Sequence, residues 1–93
     1  MNRIELRFKP ATVALAGNPY GRKEFNNQVK PKLNQDKQIT LVFPDQIIYI
    51  TSSFIQGFFD YWLRTIGIEN MKKNITVQTT HDSLTAYIWK NLQ

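Results

Sequence analysis

The stretch that decides the fold is residues 39–66, which read ITLVFPDQIIYITSSFIQGFFDYWLRTI. In residues 39–43, the side chains at the odd-numbered and at the even-numbered positions are both largely apolar. This pattern is typical of a central strand covered on both faces. A short apolar return at residues 47–50 leads to a hydroxyl-rich turn, Thr51-Ser52-Ser53, and then to the most hydrophobic helical segment. We therefore predict a strand that feeds a helix and leaves Ser52 and Ser53 at the helix N-terminus.

The segment after Ser53 has the period of one helical face. Ser53 and Gln56 fit a capping box, in which the serine accepts from the third helical N–H and the glutamine reaches back. Asp60 and Arg64 stand four residues apart in the favourable order. Gly67 predicts the helix end, because glycine readily adopts the left-handed conformation. The apolar stripe itself consists of Ile55, Phe58, Phe59, Trp62, Leu63 and Ile66.

Toward the N-terminus, two further strands and a helix are predicted. Residues 3–8 alternate between charged and apolar side chains, which indicates a half-buried strand, and residues 12–16 form a short second strand. A helical pattern starts at Gly21. Pro31 predicts that this helix stops or kinks near Lys30, because proline disfavours helical geometry at the preceding residue.

Polar connections and two more elements complete the chain. Residues 34–37 and 71–74 are polar, so both are expected to be exposed connections. Residues 75–79 alternate and are rich in β-branched side chains, which predicts a strand. Asp82 or Ser83 is expected to cap a final helix.

The predicted order is strand, strand, helix, strand, helix, strand, helix. Strands that alternate with helices imply crossover connections and a largely parallel sheet. No repeat or linker interrupts the chain, so we predict one domain over residues 1–93. Its class is α/β, with a mixed, mostly parallel sheet of about four strands and three helices.

Composition limits the classes of function. The 93 residues are 42% hydrophobic and 13% aromatic, which is enough for a modest core and argues against disorder. The absence of cysteine excludes disulfides, thiolate metal sites and cysteine nucleophiles. The N-terminal residues lack a signal-peptide pattern, and the apolar runs are shorter than the ~20 residues that span a bilayer. We expect a cytoplasmic protein without a membrane segment.

The net charge of +5 is unevenly distributed, since eight of the twelve basic residues precede residue 46. A basic half is typical of a solvated surface, but it also attracts nucleic acid or an acidic protein. The basic residues in this half are Arg3, Arg7, Lys9, Arg22, Lys23, Lys30, Lys32 and Lys37.

The Thr51-Ser52-Ser53 turn is the leading candidate site. A helix N-terminus presents unpaired N–H groups and favours negative charge. A phosphate on Ser52 would be stabilised there, so Ser52 is a candidate phosphorylation site. Ordinary helix capping by the Ser53–Gln56 box already explains the same hydroxyl residues, and it is the commoner role for hydroxyls at this position.

The segments ITLVF and IIYITSSF, followed by the apolar helix, resemble the central part of the STAS-like domain family of unknown function. They are more distantly similar to anti-sigma-factor-antagonist STAS domains. This resemblance covers the chain from about Gly17 onward and implies a small α/β sandwich that works by binding a partner.

In the antagonists, an Asp-Ser-Ser-Gly turn carries a serine that a partner kinase phosphorylates. The resemblance matches that turn to residues 51–54, where Thr51 replaces the aspartate and Phe54 replaces the glycine. The STAS-like family usually follows its Ser-Phe with an acidic pair, and this chain has Gln56-Gly57 instead.

Two other patterns are weaker. Residues 17–23, GNPYGRK, differ from a phosphate-binding loop in glycine spacing and lack a hydroxyl residue after Lys23. Arg22 and Lys23 remain candidate contacts for an anionic partner at a helix start. His81 stands beside Asp82, but a catalytic site also needs a third group and a pocket, so we expect His81 to be exposed. One histidine without cysteine does not build a usual zinc site.

We therefore predict a non-enzymatic protein-interaction module without a cofactor or metal. Its partner would be a kinase-like ATPase or another regulatory protein. The candidate contact residues are Thr51, Ser52, Ser53, Gln56, Arg22 and Lys23. Tyr61 and Trp89 lie off the main stripes of their helices and are candidate exposed anchors. Two alternatives remain open: a basic nucleic-acid-binding protein, and a small phage or mobile-element inhibitor of a host complex.

Overall fold

Two small parallel sheets with helices packed on them form the fold. The computed structural model describes residues 2–33 and 38–93, so the predicted connection at residues 34–37 lies outside the described residues. In chain order, the elements are β1 (Asn2–Glu5), β2 (Ala14–Leu15), α1 (Asn18–Glu24), β3 (Ile39–Val42), β4 (Tyr49–Ile50), α2 (Ser52–Thr65), α3 (Gly67–Asn74), β5 (Ile75–Gln78) and α4 (Asp82–Lys90).

The larger sheet has the strand order β1-β3-β5, and all of its pairings are parallel. Ile39 of β3 lies between Asn2 of β1 and Ile75 of β5. The predicted central strand is confirmed, since successive β3 residues, Thr40 among them, are buried on both faces. The predicted half-buried strand is β1 at the sheet edge, where Ile4 is buried and its neighbours are more exposed.

The second sheet pairs β2 with β4 in parallel, with Ala14 beside Tyr49 and Leu15 beside Ile50. A turn at residues 44–47, closed by the Ile47 amide donating to the Pro44 carbonyl at 3.0 Å, separates β4 from β3. The α/β class is confirmed, but the single sheet of about four strands is replaced by a sheet of three strands and a pair. The reason is that Tyr49 and Ile50 pair with β2 rather than with a strand of the first sheet.

Helix α2 supplies the centre of the core. Its predicted apolar stripe is buried at Ile55, Phe58, Phe59 and Trp62, and Phe54 is buried beside it. Farther along the predicted stripe, Leu63 is only partly buried and Ile66 is 37% exposed. The ring of Phe25, which follows α1, meets Phe58 and Trp62 edge-on at centroid distances of 5.7 and 5.1 Å. Edge-to-face ring pairs of this kind add stability beyond the area that they bury.

The first helix starts earlier than predicted, at Asn18, with Pro19 in its first turn, where proline costs no hydrogen bond. It continues as a π-helical turn, Phe25–Val29, and a 3₁₀ turn, Lys30–Lys32. Leu33 is extended. The predicted disruption near Pro31 is therefore confirmed, because the helix changes to a 3₁₀ turn at Lys30 and ends before Leu33.

The described residues contain four α-helices rather than three. The prediction of a polar connection at residues 71–74 is wrong, because these residues belong to α3. Gly67 has a φ of 79° and ends α2 as predicted, but a new helix begins at once. It packs Met71 and Ile68 against the core. Glu69 near its start and the lysines near its end interact favourably with the helix dipole and so stabilise the helix.

The predicted cap of the last helix is also wrong. Helix α4 begins at Asp82 with His81 in the capping position, and no side chain accepts from its first N–H groups. The Thr79 hydroxyl instead donates to the His81 carbonyl at 2.7 Å and lies 2.8 Å from the Thr85 hydroxyl. His81 is exposed, as predicted.

Candidate functional site at the start of helix α2

The Thr51-Ser52-Ser53 turn joins β4 to α2, and Thr51 is the residue that caps the helix. Thr51 has an extended backbone, and its Oγ1 accepts a hydrogen bond from the Phe54 amide at 3.2 Å. The predicted capping box of Ser53 with Gln56 is therefore wrong. The Gln56 side chain is turned away and donates to the Asn91 carbonyl at the end of α4.

The Thr51 hydroxyl also connects two helix starts. It accepts from the Gly17 amide at 3.3 Å and lies 3.0 Å from the Ser53 hydroxyl. A threonine oxygen has two acceptor positions and one hydrogen. Because Phe54 and Gly17 occupy both positions, the Thr51 hydrogen is directed at Ser53. The turn before α1 and the turn before α2 are thus held side by side.

Ser52 and Ser53 are both exposed at the N-terminus of α2. Within the described residues, the Ser52 hydroxyl has no hydrogen-bond partner, whereas the Ser53 hydroxyl has Thr51. The first turn of α2 carries no acidic side chain. Apart from the Phe54 amide, which Thr51 caps, the N-terminal N–H groups and the positive end of this helix therefore favour an anion from outside.

Large apolar side chains stand exposed immediately before this turn. Ile48 and Tyr49 are 61% and 55% exposed, and Val13 on the neighbouring segment is 47% exposed. Val13 is adjacent to Ile48, because the Ile48 amide donates to the Val13 carbonyl at 2.9 Å. We call this surface the docking face; it consists of Val13, Ile48, Tyr49, Ser52 and Ser53.

Sequence reasoning missed the apolar part of the docking face. Residues 47–50 are all apolar or aromatic, so hydropathy does not distinguish the buried Ile47 and Ile50 from the exposed Ile48 and Tyr49. The sequence therefore held no signal for it. The two candidates for an exposed aromatic anchor, Tyr61 and Trp89, are both partly buried against the core.

The six predicted contact residues do not form one cluster. Thr51, Ser52, Ser53 and Gln56 lie together in the first turns of α2. Arg22 lies on α1 and meets α2 farther along its length, where the Arg22 Nη1 is 3.5 Å from the Asp60 carboxylate. Lys23 lines a separate groove.

That separate groove has a volume of about 680 Å³ and runs between α1 and the segment after β1. Gln28 links two of the residues that line the groove by donating to the Arg7 carbonyl at 2.8 Å and to the Glu24 carboxylate at 2.6 Å. Burial, and secondarily the charge of Glu24, raise the pKa of Tyr20. The groove is lined by Arg7, Phe8, Lys9, Thr12, Tyr20, Lys23 and Glu24.

The described residues contain no group of three or more histidine or acidic side chains placed to hold a metal ion. None of the helices in residues 2–33 and 38–93 has the length and apolar character needed to cross a membrane.

The chain matches no family model, no curated protein and no solved structure.

Proposed function

We propose that the chain is a non-enzymatic protein-interaction module of the STAS-like kind that regulates a partner protein by binding it through the docking face. The observation that carries this proposal is the exposure of Ile48 and Tyr49 beside two exposed serines. Exposed clusters of large apolar residues commonly mark protein interfaces, and tyrosine is among the residues that contribute most binding energy.

The partner surface should combine an apolar patch with an acidic group. The first turn of α2 has no acid of its own, so a carboxylate from the partner would meet the unpaired N–H groups of the helix. The net charge of +5 would also accelerate association with an acidic protein.

Ser52 offers a means of regulation. Its hydroxyl is exposed and has no partner within the described residues. A phosphate adds a charge of about −1.5 to −2 at neutral pH. At the first position of α2, that charge would occupy the helix N-terminus and repel an acidic partner. A kinase-like regulatory protein would then control release of the complex.

The proposal is tested by affinity capture with the full chain from cells that express it, followed by binding measurements on the purified captured protein. The double variant Ile48→Ser/Tyr49→Ser should weaken binding by about 30-fold or more, the effect of losing a hot spot of about 2 kcal/mol. Ser52→Asp should also weaken it.

The matched control is Tyr87→Ser, which removes another exposed aromatic, on α4. It should leave binding unchanged, and circular dichroism should show that every variant folds. Equal binding by the wild type and the double variant, or equal loss in Tyr87→Ser, would refute the docking face.

The groove beside α1 supports a second candidate function, nucleic-acid binding. Arg7, Lys9 and Lys23 surround the partly buried rings of Phe8 and Tyr20. Cations beside aromatic rings are the usual platform for single strands.

A mobility-shift assay with single-stranded RNA at low salt tests this second function. Binding should weaken steeply with added salt and be lost in Arg7→Gln/Lys23→Gln but not in Lys72→Gln/Lys73→Gln. No shift at micromolar protein would end the idea.

A further inference from the structure

A second cavity, of about 220 Å³, lies between the first helix and α2, away from the docking face. This volume is smaller than the roughly 300–1,000 Å³ of common small-molecule sites, so it suits one charged group carried by a larger molecule. We call it the arginine pocket; it is lined by Arg22, Phe25, Asn26, Lys30, Gly57, Asp60, Tyr61 and Arg64.

The two walls of the pocket lie side by side because α1 and α2 approach closely at two glycines. A Cβ atom at Gly57 would lie 2.9 Å from the Asn18 Cα, and one at Gly21 would lie 2.7 Å from the Phe58 amide nitrogen. This close approach brings Arg22 of the first helix within reach of Asp60 of the second.

Asp60 fixes two guanidinium groups at the mouth of the pocket. Its Oδ2 accepts from the Arg64 Nε at 2.8 Å and lies 3.5 Å from the Arg22 Nη1. Asn18 orients Arg22 further by accepting from its Nε at 3.0 Å. The hydrogen bond from Arg64, and then the charges of Arg64 and Arg22, hold the pKa of Asp60 below its ordinary value, so this carboxylate is ionised at neutral pH.

Positive charge and unused donors remain after these contacts. Lys30 adds a third cation, with its Nζ 5.8 Å from the centre of the Tyr61 ring. Three cations and one carboxylate give the pocket an excess of two positive charges. Within the described residues, both terminal amino groups of Arg64 and the second amino group of Arg22 donate no hydrogen bond.

We propose that the arginine pocket binds a phosphate monoester carried on a protein side chain. A phosphomonoester has a charge of about −1.5 to −2 at neutral pH, which matches the local excess, and its oxygens accept from paired guanidinium donors. A nucleic-acid phosphate carries a single charge, and its recognition uses cations spread along a groove rather than donors converging on one small cavity. This proposal is independent of the docking face.

The test is an NMR titration of the labelled full chain with the tripeptide acetyl-Gly-phosphoserine-Gly-amide. The parallel ligands are its unphosphorylated form, inorganic phosphate, and an oligothymidylate of about ten nucleotides. We expect the phosphopeptide to bind, the unphosphorylated form not to bind, and inorganic phosphate to bind more weakly than the phosphopeptide. Arg64→Gln and Arg22→Gln should each weaken binding about tenfold, whereas Lys72→Gln, an exposed charge on α3, should change it less than about twofold.

Lowering the pH to about 5 adds a second readout. The phosphate becomes a monoanion, because its second pKa is near 6, while Asp60 stays ionised because its pKa is lowered. Binding should therefore weaken.

Four results would overturn the proposal. These are no binding at about 10 mM peptide, unchanged affinity in Arg64→Gln, affinity for inorganic phosphate equal to that for the phosphopeptide, and tighter binding of the oligonucleotide at the same arginines.

Discussion

At the scale of single residues, Thr51 joins parts of the chain that are distant in sequence. Its hydroxyl caps α2 through Phe54, accepts from Gly17 and contacts Ser53. Its amide donates to the Leu15 carbonyl at 2.9 Å. Four contacts from one side chain and one amide hold both helix starts beside the exposed serines.

We expect Thr51→Val to destabilise the protein by about 1–2 kcal/mol, because the cap is lost and the Gly17 amide loses its acceptor. For a domain of this size, each kcal/mol lowers Tm by about 4–8 °C, which calorimetry can measure. Thr51→Ser should remain close to wild type. Ser53→Ala should cost less than about 0.5 kcal/mol, and equal effects of Thr51→Val and Ser53→Ala would contradict this account.

The sequence identified the correct turn but the wrong cap. Thr51 and Ser53 are both favoured capping types, and the local pattern does not distinguish them. The choice depends on where β4 ends, at Ile50, which is fixed by its pairing with β2. The side chain of Gln56, predicted to complete the box, finds the Asn91 carbonyl instead, a partner that only the folded chain supplies.

At the scale of elements, the crossing of α1 and α2 determines the arginine pocket. Gly21 and Gly57 leave no room for a Cβ atom against the opposite backbone. Neighbouring residues on a helix point about 100° apart, so Arg22 and Lys23 face different cavities although they are adjacent in sequence.

We expect Gly57→Ala to destabilise the protein, although alanine favours helix formation by about 1 kcal/mol relative to glycine. The added methyl group would collide with the backbone of Asn18, and overpacking of this kind costs about 1–3 kcal/mol. Urea unfolding measures the balance. Ser83→Ala, at an exposed helical position, should change stability by no more than about 0.5 kcal/mol, and a Gly57→Ala variant as stable as wild type would show that the helices can separate.

Elements whose sequence shows a clear apolar periodicity could be predicted, and elements without such a periodicity could not. Helix α2 carries a full apolar stripe and was readable in position and end. Helix α3 has only Ile68 and Met71 on the core, too few to reveal a period. Strand β4 has two residues and is defined by its partner rather than by its own sequence.

At the scale of the whole molecule, the alternation of strands and helices was sufficient for the α/β class. The division into two sheets was not accessible, because parallel pairing joins residues that are distant along the chain. The docking face could likewise be predicted only in part. Its serines are recognisable in the sequence as residues of a helix start, whereas Val13 is brought beside Ile48 only by a backbone hydrogen bond of the folded chain.

The central position of β3 has a consequence for biosynthesis. As the chain leaves the ribosome, residues 39–42 can pair with residues 2–5, which are already made, but their other edge stays open until residues 75–78 appear. During that interval, an apolar strand presents unpaired backbone groups to its surroundings, a condition that invites aggregation. Because this edge closes late, the nascent chain can pair wrongly with other chains until residues 75–78 have been translated.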